Sequence, residues 1–448
     1  MSKQPSLQSQ LGRESSRRDF LKVSGAAALG GTVAAVPSVA RSAHPGGFDT
    51  LRVGLVGCGG RGNGAAEQAM NADKNLMLTA LGDVFPEQIE RSLAALGRDP
   101  AVRDKIKVEP DNCFVGLDAY QKVIDSGVDV VLLCTPPGFR PKHLEAAIAA
   151  NKHVFCEKPM ATDAPGVRSV LATAAKAKEK GLALVAGFCW RYDYARREIF
   201  RRIHAGEIGD IRAIYATYYT NPVKPMRPPN DRRTEYTDVE WQLRNWYNFT
   251  WLSGDGLVEQ AVHSVDKIMW AMKDVPPDKA VAVGGRQLPN HDGNIFDHIE
   301  VNYEWADGTR AFMGQRQINN CWGQNADYII GSKSTGQIGV RAGGRSRSPV
   351  EIVGAQPWRY DGPTPDMYQV EHNEMYESIR AGKPINDGIR MATSTLAAIM
   401  GRMAAYTGRE ITWEMALSSQ EQLVPDPLEW TMKLPLPSMA MPGLTKFV

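Results

Sequence analysis

The chain has 448 residues, 43% of them hydrophobic and 23% charged, the profile of a globular protein of two or three domains rather than a disordered one. Lys+Arg is 52 and Asp+Glu is 50, a formal charge of +2, so no basic excess calls for a nucleic-acid partner. No run of 18 or more apolar residues occurs, which excludes a multi-span membrane protein.

At the start of the chain, Ser16-Arg17-Arg18-Asp19-Phe20-Leu21-Lys22 precedes a weakly hydrophobic Ala- and Gly-rich stretch, Val23 to Val36. Ser38-Val39-Ala40 then places small residues where a signal peptidase cuts. Residues 1–40 resemble a twin-arginine export signal, which predicts recognition by that export machinery, a periplasmic location and no stable membrane anchor. The alternative is an amphipathic helix with two incidental arginines. These residues carry five basic and two acidic side chains, so removing them leaves a mature net charge of about −1. The route exports folded proteins, which suits a cofactor acquired before export and held tightly. The six cysteines, Cys58, Cys113, Cys134, Cys156, Cys189 and Cys321, form no C-x-x-C pair and no metal-ligand spacing. No metal, and no disulfide on which the fold depends, is expected.

Residues 41–49 read as a linker. Strands are predicted at 51–56, 76–81, 128–134, 153–156 and 182–186, alternating with helices at 64–71, 86–97, 141–150 and 163–180. That rhythm specifies α/β architecture, a doubly wound parallel sheet spanning residues 50–187. Residues 188–448 read differently: strands at 211–220, 279–287, 297–305 and 310–318, and helices at 258–272, 366–381 and 390–406. They form an α+β domain with an open, mainly antiparallel sheet, expected to bind substrate and to mediate oligomerisation. Residues 221–236 are rich in Pro, Arg and Asn and are either a lid or an exposed arm.

Gly57-Cys58-Gly59-Gly60-Arg61-Gly62 follows the first strand and opens a helix, the setting a dinucleotide fingerprint requires. Gly57 permits the tight turn, Gly59 lets the backbone approach a pyrophosphate, Gly62 lets helix and strand pack closely, and Gly60 and Arg61 begin the helix whose amides bind phosphate. Asp83 follows the second strand, 26 residues after Gly57. A carboxylate there binds adenosine-ribose hydroxyls and repels a 2′-phosphate, so NAD is favoured and NADP is possible.

Three more segments carry a family resemblance. Cys134-Thr135-Pro136-Pro137 ends a strand, with His143 in the following helix; Glu157-Lys158-Pro159 ends the next strand. Gly254-Asp255-Gly256-Leu257-Val258-Glu259-Gln260-Ala261-Val262-His263-Ser264-Val265-Asp266 opens the helix of the second domain. With the glycine motif, these make the chain similar to the Gfo/Idh/MocA family of nicotinamide-dependent oxidoreductases over roughly residues 50–410, and especially to its exported glucose–fructose oxidoreductase-like branch. The resemblance implies that Thr135, Pro136, His143, Glu157 and Lys158 join the cofactor site. It implies that Lys158 lies between the nicotinamide and the reacting hydroxyl, and that Glu157 binds the nicotinamide ribose. His263 is the expected general base. Asp266, three residues on, is read as orienting His263 or binding a substrate hydroxyl. Many family members carry Asp four residues before this His; here the residue is Glu259, a further catalytic candidate.

Arg191 and Tyr192 follow the last strand of the first domain and are candidate substrate ligands, Arg191 being alternatively an interface-closing cation or a structural ion pair. Trp241, Trp246, Tyr247 and Trp251 form either a carbohydrate-stacking platform or a hydrophobic plug. The expected function is hydride transfer between a bound nicotinamide and a sugar, glycoside or cyclic-polyol hydroxyl. The rivals are a redox-neutral, NAD-dependent glycoside hydrolase or lyase and a non-catalytic sugar-binding protein. A homo-dimer or homo-tetramer is the family-like way to cover the open sheet.

Overall fold

The computed structural model describes residues 49–288, 292–339 and 349–448, so the proposed export segment lies outside the described residues. Six parallel strands form the first sheet: β1 (Leu51–Val56), β2 (Leu76–Asp83), β3 (Cys113–Val115), β4 (Val130–Leu133), β5 (His153–Cys156) and β6 (Leu184–Ala186), in the order β3-β2-β1-β4-β5-β6. Every residue of β4, β5 and β6 is buried, as a parallel sheet covered on both faces demands. Helices α1 (Gly60–Ala72), α2 (Pro86–Arg98), α3 (Ala119–Asp125), α4 (Arg140–Ala149) and α5 (Ala164–Glu179) provide the covers. The strand order reverses beside β1, so ligands are expected at the carboxyl ends of β1 and β4.

After α6 (Tyr194–His204) the chain enters a nine-stranded sheet. Its strands are β7 (Ile211–Thr220), β8 (Lys279–Gly285), β9 (His298–Glu304), β10 (Arg310–Gln317), β11 (Gln324–Gly331), β12 (Ser334–Gly339), β13 (Val350–Gly354), β14 (Trp358–Arg359) and β15 (Ile411–Thr412). The order is β14-β13-β12-β11-β7-β10-β9-β8-β15. All neighbours are antiparallel except β7 and β10, which pair in parallel from Ala213↔Arg310 to Thr220↔Gln317. The sheet is therefore open and largely antiparallel.

Between β7 and β8 lie α7 (Asp238–Arg244), α8 (Thr250–Ser253) and α9 (Val262–Ala271), the last entered through a π-helical turn, Leu257–Ala261. Helices α10 (Met367–Arg380), α11 (Gly388–Thr407) and α12 (Trp413–Ser418) follow the sheet. α11 is buried over nearly its whole length and packs against α5, α9 and the β8–β9 edge. Its five alanines and two glycines permit that closeness; a Cβ on Gly401 would lie 2.7 Å from the Tyr303 hydroxyl. α10 turns back to pack on α1, adding Val370, Met375, Tyr376 and Ile379 to the core of the first sheet. All six cysteines are free thiols, and no described helix is long and apolar enough to cross a membrane.

Candidate active site

The glycine turn leaves β1 with Gly57 at φ +95°, where a Cβ would stand 2.7 Å from the Cys134 carbonyl carbon. At Gly62 a Cβ would fall 1.9 Å from the Gly57 oxygen, so close helix–strand contact requires glycine there. Gly59 and Gly60 face open space. That space is a cleft of about 280 Å³ whose walls include Asp83, Phe85, Thr135, Pro136, His143 and Trp246. A bare backbone, a helix N-terminus and a flat apolar slot fit a dinucleotide. The two kinds of glycine predict different failures. Gly59→Ala is expected to fold normally and weaken nucleotide binding at least 10-fold, whereas Gly62→Ala is expected to lower the melting temperature as well; calorimetry with NADH titration separates them.

Asp83 braces the turn. Its Oδ2 accepts the Cys58 N–H at 2.8 Å and its Oδ1 the Phe85 N–H at 3.0 Å, while burial raises its pKa. Each oxygen keeps a second lone pair for a ribose hydroxyl. His143 stacks on Tyr120 at 4.0 Å and on Phe139 at 5.6 Å, with Nδ1 3.4 Å from the Thr135 hydroxyl. Burial, reinforced by the charges of Lys142 and Arg140, pushes its pKa down to about 3, so it is a neutral, flat wall.

Arg61 and Glu157 form a strut. The Arg61 Nε–H donates to Glu157, its other nitrogens reach Gln68 at 2.9 Å and Glu371 at 3.3 Å, and its guanidinium covers Tyr368 at 4.9 Å. Glu157 also accepts the Lys158 N–H at 3.2 Å and is pressed against Gly187. The Glu157 carboxylate thereby ties the glycine turn to the end of β5, a bracing contact the sequence reading of a ribose ligand did not include. Glu371, fully buried beside Glu157, has its carboxyl pKa raised by desolvation.

Lys158 projects from the carboxyl end of β5, with a cis bond to Pro159. Its Nζ donates to the Glu259 backbone oxygen at 2.6 Å and to Glu259 Oε1 at 2.9 Å. Glu259 rides on the π-helical turn, which begins after two left-handed residues, Gly254 (φ +83°) and Asp255 (φ +96°). Asp255 holds that bend by accepting N–H groups from Leu257 and Phe296 and the hydroxyl of Tyr406. Among the described residues Glu259 Oε2 and His263 Nδ1 are buried without hydrogen-bond partners. A buried polar atom without a partner is costly and points to a ligand. His263 lies against Trp190 at 5.0 Å and Phe188 at 6.3 Å. Burial and the charges of Lys158, Lys267 and Arg196 hold its pKa well below that of an ordinary imidazole, so it is neutral and able to accept a proton.

Several expectations are corrected. Asp266 does not orient His263: it accepts Arg191 Nε–H at 2.8 Å, Arg191 Nη2–H at 2.9 Å and the Ser394 hydroxyl at 2.8 Å. Arg191 also donates to Asp274, so it is the structural ion-pair partner and not a substrate ligand. Tyr192 is buried, donating to Asp387 at 3.0 Å. Trp241 and Trp251 are core side chains whose indole N–H groups reach Asp292 at 3.0 Å and Gln242 at 2.7 Å, so the aromatic segment is a plug. Trp246 differs in being half-buried and lining the dinucleotide cleft.

Sequence reasoning missed Lys267, whose fully buried ammonium pairs with Asp327 and lies 3.9 Å from the Trp190 ring centroid. Its position one helical turn after His263 was the available signal. It also missed Lys224 in the 221–236 loop, which lines both the dinucleotide cleft and a second cavity beside Tyr247 and Gln317.

Residues 51–186 match the family model described as the Gfo/Idh/MocA oxidoreductase family, NAD-binding Rossmann fold. The chain is 24% identical over 330 residues to an inositol 2-dehydrogenase of Rhizobium meliloti, covering 73% of this chain and 86% of the relative. It shares its fold with the WlbA dehydrogenase of Bordetella pertussis, solved with NADH and UDP-GlcNAcA, at TM-score 0.60, 20% identity and 82% and 98% coverage of the two chains. It also resembles the aldose-aldose oxidoreductase of Caulobacter crescentus, at TM-score 0.62, 20% identity and 81% and 99% coverage. Residues 51–186 thus carry the NAD-binding Rossmann fold of that family model, and the chain shares the overall fold of these two enzymes.

Proposed function

We propose that this chain, built on that fold, is an NAD(P)-dependent oxidoreductase acting on a CH–OH group of a sugar, glycoside or cyclic polyol. The observation that carries the reading is the Lys158–Glu259 pair beside a neutral His263, on the sheet edge that also forms the dinucleotide cleft. When bound, the nicotinamide accepts or returns the hydride. The Lys158 ammonium, fixed by Glu259, donates to the reacting oxygen and stabilises its developing negative charge. His263 takes the hydroxyl proton. The free Oε2 of Glu259 accepts from a second hydroxyl, which orients the ring. Asp83 supports NAD over NADP. The inositol dehydrogenase, WlbA and aldose–aldose relatives support a carbohydrate or polyol substrate.

The paired arginines Arg17 and Arg18 support export to the periplasm, where a cofactor that stays bound would be reoxidised by a second substrate. The deciding experiment purifies the mature protein without added nucleotide, adds a sugar and polyol panel, and follows the near-ultraviolet absorbance of reduced nicotinamide. A stable rise stoichiometric with protein, discharged by a second carbonyl compound, is expected. Aglycone release without net reduction would replace this reading with the redox-neutral hydrolase.

The second sheet supports self-association. Tyr215, Phe312 and Val281 stand in one row across β7, β10, β9 and β8, and each is at least 36% exposed. Val283 beside them is 71% exposed. Asn302 fills the β9 position of that row and Glu300 stands opposite Val283, so exposed apolar side chains alternate with polar ones, the mixture a protein–protein interface carries. Phe312→Asp is expected to shift a dimer or tetramer toward monomer in sedimentation velocity, without unfolding it.

A further inference from the structure

One wall of the dinucleotide cleft comes from the second domain. Lys224, Arg227, Leu243, Arg244 and Trp246 line the same cavity as Gly59, Gly60 and Asp83. The wall is anchored across the cleft: Arg244 Nη1–H donates to Glu87 of α2 at 2.7 Å, and its guanidinium covers the Phe85 ring at 4.1 Å. The 224–227 segment is fixed through its backbone, since Arg227 N–H donates to Asn245 Oδ1 at 2.9 Å and the Lys224 carbonyl accepts from Asn248 Nδ2 at 3.2 Å. Its two cationic side chains are left unspent. Among the described residues neither has a carboxylate within ion-pair distance, although Arg244 beside them is satisfied by Glu87 and Glu240. The Lys224 ammonium lies 5.0 Å from the Trp246 ring centroid. Surrounding protein lowers its pKa, with Glu259 opposing only in part, the state of a cation lacking a full counter-charge.

The opposite wall is the N-terminus of α1, whose first amides carry partial positive charge. The cations and the helix amides line one slot whose single lining carboxylate, Asp83, is held by the Cys58 and Phe85 amides. We propose that Lys224 and Arg227 are the second half of the dinucleotide-phosphate site, closing on the pyrophosphate from the second domain and so making the cofactor resident. The inference rests on the oxidoreductase reading above and adds the residues that retain the nucleotide. The 221–236 loop is, on this view, a cofactor clamp rather than a substrate lid. An exported enzyme needs such a clamp, because a nucleotide lost outside the cytoplasm is not replaced.

The test measures NADH binding by fluorescence titration, with no substrate present, for the mature protein and for Lys224→Ala, Arg227→Ala, the double variant and Lys224→Arg. The double variant is expected to bind NADH at least 30-fold more weakly, to lose co-purified nucleotide on gel filtration and to show a shallower dependence of log Kd on log salt concentration. Its melting temperature without nucleotide should match that of the parent, and Lys224→Arg should retain most of the affinity. Unchanged affinity and salt slope in the double variant would overturn the clamp while leaving the oxidoreductase reading intact. A parent protein that neither co-purifies with a nucleotide nor binds added NADH would overturn both.

Discussion

Lys158→Met is expected to lower kcat by about three orders of magnitude while NADH binding persists. A single preorganised donor to a developing oxyanion contributes roughly 100- to 1,000-fold, and loss of assistance to proton transfer adds to that. The variant has a second consequence, because Lys158 and Glu259 are both buried and share a 2.9 Å contact. Removing the cation strands a carboxylate and lowers stability; the double variant Lys158→Met/Glu259→Gln removes both charges and should recover the melting temperature but not kcat. Recovery of kcat along with stability would assign Lys158 a structural role. His263→Gln should lose at least 100-fold in kcat with little change in melting temperature. The wild-type pH profile follows from the field around His263. Its pKa lies below the ordinary imidazole value, so the base stays unprotonated as pH falls through about 6.5, and the acid limb of kcat/KM appears at lower pH.

The residues that were legible in the sequence lie near one another along the chain or at strand ends. Gly57 to Gly62, Thr135 and Lys158 each follow a short apolar strand and Asp83 ends one, and a parallel sheet brings all its carboxyl ends to one edge. Once the strands are read, their meeting follows from topology. Asp266 shows where this fails. Helical spacing puts it near His263, but its partner Arg191 lies 75 residues away, and no local pattern shows which of two neighbours takes a carboxylate. The tryptophans stay undecided in the sequence for a related reason. A platform and a plug have the same composition, and the choice rests on cover from remote segments: Trp430 packs on Phe85, while Leu423, Val424 and Leu434 close over the cluster containing Trp251. Strands β11 and β12 escaped notice because Gln324, Asn325, Gly336 and Gln337 weaken their alternation. Their pairing is supplied by the sheet, and Gly336 is needed where Ile203 approaches within 3.0 Å of its Cβ position.

Asp266→Ala is expected to behave as a folding variant rather than a catalytic one. The carboxylate is 2% exposed and accepts three hydrogen bonds, two from Arg191 and one from Ser394. Arg191 is itself 4% exposed, with its guanidinium 4.8 Å from the Trp270 ring centroid. Truncation leaves that cation in the interior with Asp274 alone, and breaking a buried pair in this way costs about 3–5 kcal/mol. A melting temperature lower by several degrees is the expected readout, with kcat per folded molecule within a few-fold of wild type. A residue orienting the general base would give the opposite split, a kcat loss of 100-fold or more at an unchanged melting temperature. Arg191→Met should mirror Asp266→Ala, and Arg191→Met/Asp266→Leu should be more stable than either single variant, because the two side chains act as one unit. Strictly additive destabilisation would show that the pair does not act as one unit.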